Sequence, residues 1–400
     1  MTNLPQGWEW KSLEEICEVI MGQSPSGNCI FNKDKNKDLI EFHQGKTAFS
    51  DKYIKKSDFV TSDIRKIAKK NSVVLSVRAP VGEVNIAFED IAIGRGLCSL
   101  NGIKANNEFL FFYLLTLKKY FNDNSTGSTF KAINVKTIKE TKIPLPPLQE
   151  QERIVGILDE SFAKIDESIK ILEQDLLNLD ELMRSALQKA FNPLKDNTKE
   201  NYKLPQGWEW KSLDDIGEII TGTTPSKNNP NFYGNEYPLF KPSDLNGDMI
   251  IKFASDNLSK LGFDNARNLP KDTILVVCIG ASIGKVGLSG VSGSCNQQIN
   301  AIIPNSTFVS KYLFFVCLSN YFQEILKKNA SQTTLPIINK TEFSKLKIPL
   351  PPLQEQEQIA SHLDELSSHV KNLKQNYQMQ IKDLQELKKS LLGKAFQGRL

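Results

Sequence analysis

The chain has 400 residues, 40% hydrophobic and 24% charged, an ordinary globular composition with enough length for two or three domains that each bury a core. Six cysteines without a C-x-x-C pair and three scattered histidines (His43, His362, His369) make no zinc signature and fit reduced thiols in a cytoplasmic protein. No basic stretch followed by an apolar run opens the chain, and no apolar run is long enough to span a bilayer, so neither a signal peptide nor a membrane partner is expected. The net charge of +4 is small but uneven: +5 over 1–142, −5 over 143–200, +3 over 201–347 and +1 over 348–400.

The first element is the block LPQGWEWKSL (Leu4 to Leu13), in which Ser12 and Glu15 have the spacing of a capping box opening a short helix. Short β-branched runs follow, such as Ser72 to Val77, punctuated by Gly and Asn, and they predict strands. An aromatic-rich helix is predicted over Glu108 to Phe121. Pro144, Pro146 and Pro147 then form a hinge, since proline disfavours helix before it yet suits a first helical turn. From Leu148 to Phe191 the chain predicts one helix, about 65 Å long at 1.5 Å per residue. Its heptads run Val155, Phe162, Ile169, Leu176, Met183 on one stripe and Leu158, Ile165, Leu172, Leu179, Ala186 on the other, the pattern of a coiled-coil seam.

The whole plan is then written again. LPQGWEWKSL recurs at Leu204 to Leu213, displaced by 200 residues, and IPLPPLQEQE at Ile143 to Glu152 recurs at Ile348 to Glu357, displaced by 205. Lys189-Ala190-Phe191 is echoed by Lys394-Ala395-Phe396. A period this long is a duplicated domain pair and not a solenoid. The second half repeats the capping-box spacing (Ser212, Asp215), a β-branched run (Thr273 to Ile279) and an aromatic helix (Lys311 to Leu326). In the second long helix Leu363, Val370, Tyr377, Leu384 and Leu391 keep one stripe, while Ser367, Lys374 and Lys388 interrupt the other. Leu366, Leu373 and Leu387 are expected to supply a rotated apolar stripe in their place, packed on the first helix; packing on another chain is the alternative.

The pattern LPxGWxxxxL, a variable segment, IPLPPLxEQ and a heptad helix, all stated twice, resembles the specificity subunit of Type I restriction–modification systems over essentially the whole chain. Ile93-Gly94-Arg95-Gly96 and Asn296-Gln297-Gln298 are further words of that resemblance. It implies an α+β chain with two similar α/β target-recognition domains, separated by a long antiparallel two-helix coiled coil and related by a pseudo-twofold. The segments would be 1–142 and 196–347 for the domains, with 143–195 and 348–400 for hinge and helix. It also implies double-stranded DNA as ligand, two DNA methyltransferase subunits as partners, and motor-nuclease subunits in the full complex. Methyl donor and ATP would belong to those partners, leaving this chain without a cofactor.

The residues themselves also argue for a chain that performs no chemistry. Gly280-Ala281-Ser282-Ile283-Gly284-Lys285-Val286 has three residues between its glycines where a phosphate loop needs four, and Val where a hydroxyl should hold magnesium, so it reads as a turn between strands. No amino-methyltransferase motif of the Asn-Pro-Pro-aromatic type occurs. The two variable segments differ in character. The first is lysine-rich, with Lys33, Lys35, Lys37, Lys46, Lys52, Lys55, Lys56, Arg65, Lys66, Lys69 and Lys70, and Arg78 and Arg95 beyond it. The second carries Lys227, Asn228, Asn229, Lys241, Lys252, Lys260 and Arg267, followed by Lys285. Lys and Arg suit phosphates, while Arg, Asn and Gln grip base edges, so these are the candidate DNA contacts. The alternatives are a coiled-coil scaffold presenting two non-DNA modules, and an unrecognised enzyme within the α/β segments.

Overall fold

The computed structural model describes residues 4–35, 38–127, 131–191, 204–331 and 335–400, without the side chain of Lys35. Its contacts divide into two compact units: Met1–Leu172 with Met379–Leu400, and Glu173–Gln378. Each unit therefore combines a mixed α/β domain with portions of both long helices.

In the first unit, four antiparallel strands run in the spatial order Cys17–Met21, Leu97–Gly102, Val73–Ser76, Val84–Ile86. A second sheet orders Ile30–Asn32, Phe59–Thr61, Ile40–His43, Ile91–Ile93 and Ile67–Ala68. The β-branched run of Val73–Ser76 is buried on both faces, as expected of a strand with few polar positions. In the second unit Ile219–Thr221, Ile299–Ile302, Ile274–Val277, Val286–Ser289 and Ile250–Ile251 form one sheet, with Asp256–Leu258, Tyr233–Phe240 and Ser294–Cys295 in the other. The segment from Gly280 to Lys285 is the turn between Ile274–Val277 and Val286–Ser289, with Gly280 and Gly284 at φ of 93° and 92°.

The duplicated blocks serve the frame. LPQGWEWKSL and IPLPPLQEQE meet as a two-stranded ribbon, Glu9–Ser12 against Lys142–Leu145 in one unit and Glu209–Ser212 against Lys347–Leu350 in the other. Both capping boxes form, on Ser12 with Glu15 and on Ser212 with Asp215. Gln151 and Gln356 are almost fully buried. Each donates to a proline carbonyl of its own block (Pro146 and Pro351, both 2.9 Å) and accepts from a backbone N–H at the start of the aromatic helix (Asn106, 2.8 Å; Val309, 2.9 Å). Buried amides are stable only when paired this way, which accounts for the exact recurrence of the Gln.

Two expectations are corrected. Each aromatic helix is broken in two: Asn107–Thr116 and Lys118–Asp123 in the first unit, Ser310–Leu318 and Asn320–Lys328 in the second. Leu117 leaves helical geometry at φ −91°, ψ 2°, and Ser319 turns extended and caps the next helix by accepting from Phe322 N–H. Aromatic residues continue past each break, Tyr120 and Phe121 in the first unit and Tyr321 and Phe322 in the second, and so hide it in the sequence.

The second correction concerns the second long helix, Leu353–Ala395. The first, Leu148–Phe191, has the predicted bounds, and every predicted seam residue on it is buried or half-buried. The apolar face of the second helix has not rotated. Of the expected stripe Leu366 is half-buried but Leu373 and Leu387 are exposed, whereas Ser367, Lys374 and Lys388 hold half-buried seam positions. The lysines achieve this by laying their stems along the seam and delivering their ammonium groups to carboxylates on the first helix. In the first unit Lys388 pairs with Asp166 and sits 4.8 Å above the Phe162 ring; in the second unit Lys374 pairs with Asp180. Within each unit the two helices run antiparallel. The first unit buries Val155 and Leu158 near the start of one helix together with Ala395 and Phe396 at the end of the other. The second buries Leu187 and Phe191 together with Ala360 and Leu363. The echoed Lys-Ala-Phe words thus place Phe396 against Phe109 and Tyr113, and Phe191 against Tyr312.

Candidate nucleic-acid interface

Three loops meet at one end of the strands in each unit. In the first, Gly22 N–H donates to Leu97 O (2.8 Å), Gln23 N–H to Ile93 O (3.0 Å), Gly94 N–H to His43 O (2.8 Å) and Ile93 N–H to Lys66 O (3.0 Å). A Cβ on Gly22 would lie 2.1 Å from the Gly94 carbonyl oxygen, so only glycine lets the backbones approach. The second unit repeats the crossing. Gly222 N–H donates to Ile299 O and Asn296 N–H to Phe240 O, both at 3.0 Å, and a Cβ on Gly222 would meet the Asn296 oxygen at 2.2 Å.

Registers make the two crossings comparable residue by residue. Parallel pairing places Phe42 opposite Ala92 in one unit and Leu239 opposite Ser294 in the other. Gln44 therefore corresponds to Lys241, and Arg95 to Gln297. The pairs Ala68 with Ile91 and Leu269 with Gly293 make Lys66 correspond to Arg267. One position is basic in both units and its neighbours differ, which suits a shared phosphate contact beside unlike base contacts.

Of the residues singled out from the sequence, Lys66, Lys70, Arg78, Arg95, Asn228 and Lys252 are exposed. Arg267 is exposed too, and its guanidinium donates to Thr221 O at 2.8 Å beside the crossing. Others are engaged locally. Arg65 pairs with Asp63 (2.7 Å), Lys46 with Glu83 (3.5 Å), Lys69 with Asp90 (3.7 Å) and Lys241 with Asp256, to which Lys227 also lies near (3.9 Å). Lys285 donates to Pro242 O (3.3 Å), and Asn229 caps a short turn through Asn231 N–H. Lys52 is drawn to Asp159 and Glu108, tying the domain to its own helix. Lys37 lies outside the described residues, as does the side chain of Lys35.

Lys33 belongs to a buried polar cluster and not to the exposed set. Its ammonium pairs with Glu41, whose other oxygen accepts from Ser57 N–H (3.1 Å) and lies 3.4 Å from His43 Nε2 without hydrogen-bond geometry. Burial alone would raise the Glu41 pKa, but Lys33 and Ser57 outweigh it and hold the carboxyl below its ordinary value. Burial lowers the His43 pKa, opposed by Glu41. Burial also pushes the Cys17, Cys98, Cys278 and Cys295 thiols up to about 12, which leaves them protonated and poor nucleophiles.

Reading the sequence for basic residues missed the polar residues at the crossing: Ser24, Gln44, Thr224 and, except as part of a motif word, Gln297. A signal existed, since Gly22-Gln23-Ser24-Pro25 and Gly222-Thr223-Thr224-Pro225 stand 200 residues apart with a hydroxyl before each proline.

Comparison with known proteins agrees with this duplicated plan. The family model described as Type I restriction modification DNA specificity domain matches residues 5–176 and again 205–383. The chain is 25% identical to the Type I restriction enzyme MjaIX specificity subunit of Methanocaldococcus jannaschii, over 99% of this chain and 94% of that protein. It is 37% identical to the HindI specificity subunit of Haemophilus influenzae over 37% of this chain and 33% of that one. Its fold resembles a chain from a structure explaining complex assembly and conformational transition of the type I R-M system, at TM-score 0.82, 23% identity and full coverage of both chains. The HsdS subunit from Thermoanaerobacter tengcongensis gives 0.62, also at 23% identity, over 100% of this chain and 99% of that one. With two matched segments that together span most of its length, the chain belongs to the family of Type I restriction modification DNA specificity proteins.

Proposed function

We propose that this chain is a non-catalytic DNA-reading subunit whose two α/β domains each recognise one part of a split double-stranded site, and that it directs methyltransferase and motor-nuclease subunits there. The observation that carries the reading is the loop crossing built twice on one frame, with a basic residue retained at Lys66 and Arg267 and unlike residues beside it. A scaffold for two non-DNA modules would have no reason to keep that arrangement while changing its neighbours. The domains proposed are 1–142 and 196–347, with 143–195 and 348–400 carrying hinge and helix. The DNA contacts proposed are the exposed members of the basic set. A cytoplasmic location fits six unpaired cysteines, five of them buried, and no helix among the described residues is long and apolar enough to cross a membrane.

The test is co-expression with the cognate methyltransferase subunits and mapping of methylated motifs across a genome. A two-part motif that disappears when this chain is omitted is the expected result. Methylation with the same motif in its absence would overturn the reading.

A further inference from the structure

In both units a hydroxyl of the first loop holds an exposed glutamine at the crossing. Ser24 Oγ donates to Gln44 Oε1 at 2.9 Å, and Thr224 Oγ1 donates to Gln297 Oε1 at 2.8 Å. The hydroxyls occupy corresponding positions, but the glutamines do not: Gln44 follows the strand Ile40–His43, and Gln297 follows Ser294–Cys295. The two units therefore present the same functional group from neighbouring loops.

The surroundings are shaped for each. Beside Gln44 the chain runs Gly94-Arg95-Gly96, and a Cβ on Gly94 would lie 2.3 Å from Gln44 Oε1 while one on Gly96 would lie 2.5 Å from the Gln44 carbonyl oxygen. Two glycines thus clear the space that Gln44 fills. In the second unit Asn296 and Gln298 replace those glycines and bond to one another (Asn296 Nδ2 to Gln298 Oε1, 2.9 Å), which leaves Gln297 between them facing solvent. Holding an exposed glutamine costs side-chain freedom that one solvated hydrogen bond hardly offsets, so stability does not explain the arrangement. Preorganisation for a ligand does.

A primary amide offers a donor and an acceptor side by side and carries no charge. Phosphate takes only donors. Adenine presents N7 as acceptor and N6 as donor in the major groove, a pattern that a glutamine matches with two hydrogen bonds. We propose that Gln44 and Gln297 are adenine-reading side chains, one for each half of the split site, with Ser24 and Thr224 as their positioning residues. The proposal rests on the DNA-reading function given above.

The experiment uses the full chain co-expressed with the methyltransferase subunits, as wild type, Gln44→Ala, Gln297→Ala and Ser24→Ala, with methylated motifs mapped genome-wide and binding of the assembled complex measured against salt. Gln44→Ala should lose selectivity by about 10- to 100-fold at one A·T position in one half-site, and Gln297→Ala at one position in the other. Ser24→Ala should relax the Gln44 position alone and by less. The salt dependence should stay as in wild type, because a neutral side chain displaces no counterion. Unchanged motifs in both glutamine variants, or affinity weakened equally for every sequence, would overturn the proposal. A wild-type chain that confers no motif would overturn the DNA-reading function itself, an outcome that the wild-type arm reports separately.

Discussion

The lysines in the coiled-coil seam give the sharpest test of how the long helices hold together. Lys388 is 23% exposed on its side chain, pairs with Asp166 and covers the Phe162 ring at 4.8 Å. Replacing it by alanine removes three contributions. Asp166 is 55% exposed, so the ion pair is screened and contributes only about 0.2–1 kcal/mol. A partly solvated contact with the ring adds about 0.5–1 kcal/mol. The covered methylenes contribute up to about 2 kcal/mol, largely offset by the rotamer freedom the side chain regains. A net loss of about 1–2 kcal/mol is expected, a factor of about 5–30 in local opening. Because the two units need not unfold together, a single unfolding free energy is a poor readout, and hydrogen exchange of peptides over 160–169 and 384–391 in the intact chain is the assay. Lys388→Ala should speed exchange there by that factor, and Lys388→Leu, which puts an apolar side chain in the same seam position, should slow it below wild type. Asp166→Ala combined with Lys388→Ala should fall short of additivity by about 0.5 kcal/mol. Leu387 is 46% exposed, so Leu387→Ala should change exchange little. If Leu387→Ala accelerates exchange more than Lys388→Ala does, the seam runs through the leucines and this account of the packing is wrong.

Three further outcomes follow from the domains. Gly22→Ala would drive a Cβ to within 2.1 Å of a backbone oxygen, so it should destabilise the first unit by about 1–3 kcal/mol, read as a lower urea midpoint for that unit, with the second unit unaffected. Because His43 is held below 6.5, the unfolded chain takes up its proton first; the stability this provides is complete above pH 6.5 and is lost as pH falls toward the folded value. His43→Phe, the residue found at the corresponding Phe240, should therefore flatten the fall in urea midpoint between pH 6.5 and 5, and an equal slope in both proteins would remove His43 from the explanation. Replacing Lys66, Lys69 and Lys70 together by alanine should weaken binding to every DNA sequence alike and reduce the salt slope by about 0.9 for each phosphate no longer neutralised; an unchanged slope would make this run ordinary solvated surface.

The long-range plan was legible in the sequence because its signals are periodic or repeated. The proline hinge and the heptads after it marked the first long helix, Leu148–Phe191, and the ten-residue blocks announced two copies of one frame. Where the reading failed, the deciding interaction was one that residue type does not encode. A lysine in a seam looks like a defect by hydrophobicity, yet Lys388 and Lys374 occupy it because Asp166 and Asp180 lie within reach across the helix pair. The aromatic helices looked continuous because aromatic residues lie on both sides of the break at Leu117, which is a backbone event.

The crossing loops show the same limit in the candidate site. Charge singled out Lys66 and Arg267, which are exposed, but it also singled out Lys33, whose ammonium serves a buried carboxylate. Charge said nothing of Gln44, a neutral residue whose importance appears only when Ser24, Gly94 and Gly96 are brought around it by strands distant in the chain. Sequence repeats reveal what the two halves must share, and the shared residues turn out to be the frame: the ribbon, the buried glutamines Gln151 and Gln356, and the glycines Gly22 and Gly222 at the crossing. Residues that distinguish the halves are by that logic the ones least visible to pattern reading, and a protein that must read two different sequences on one scaffold has to place its specificity there.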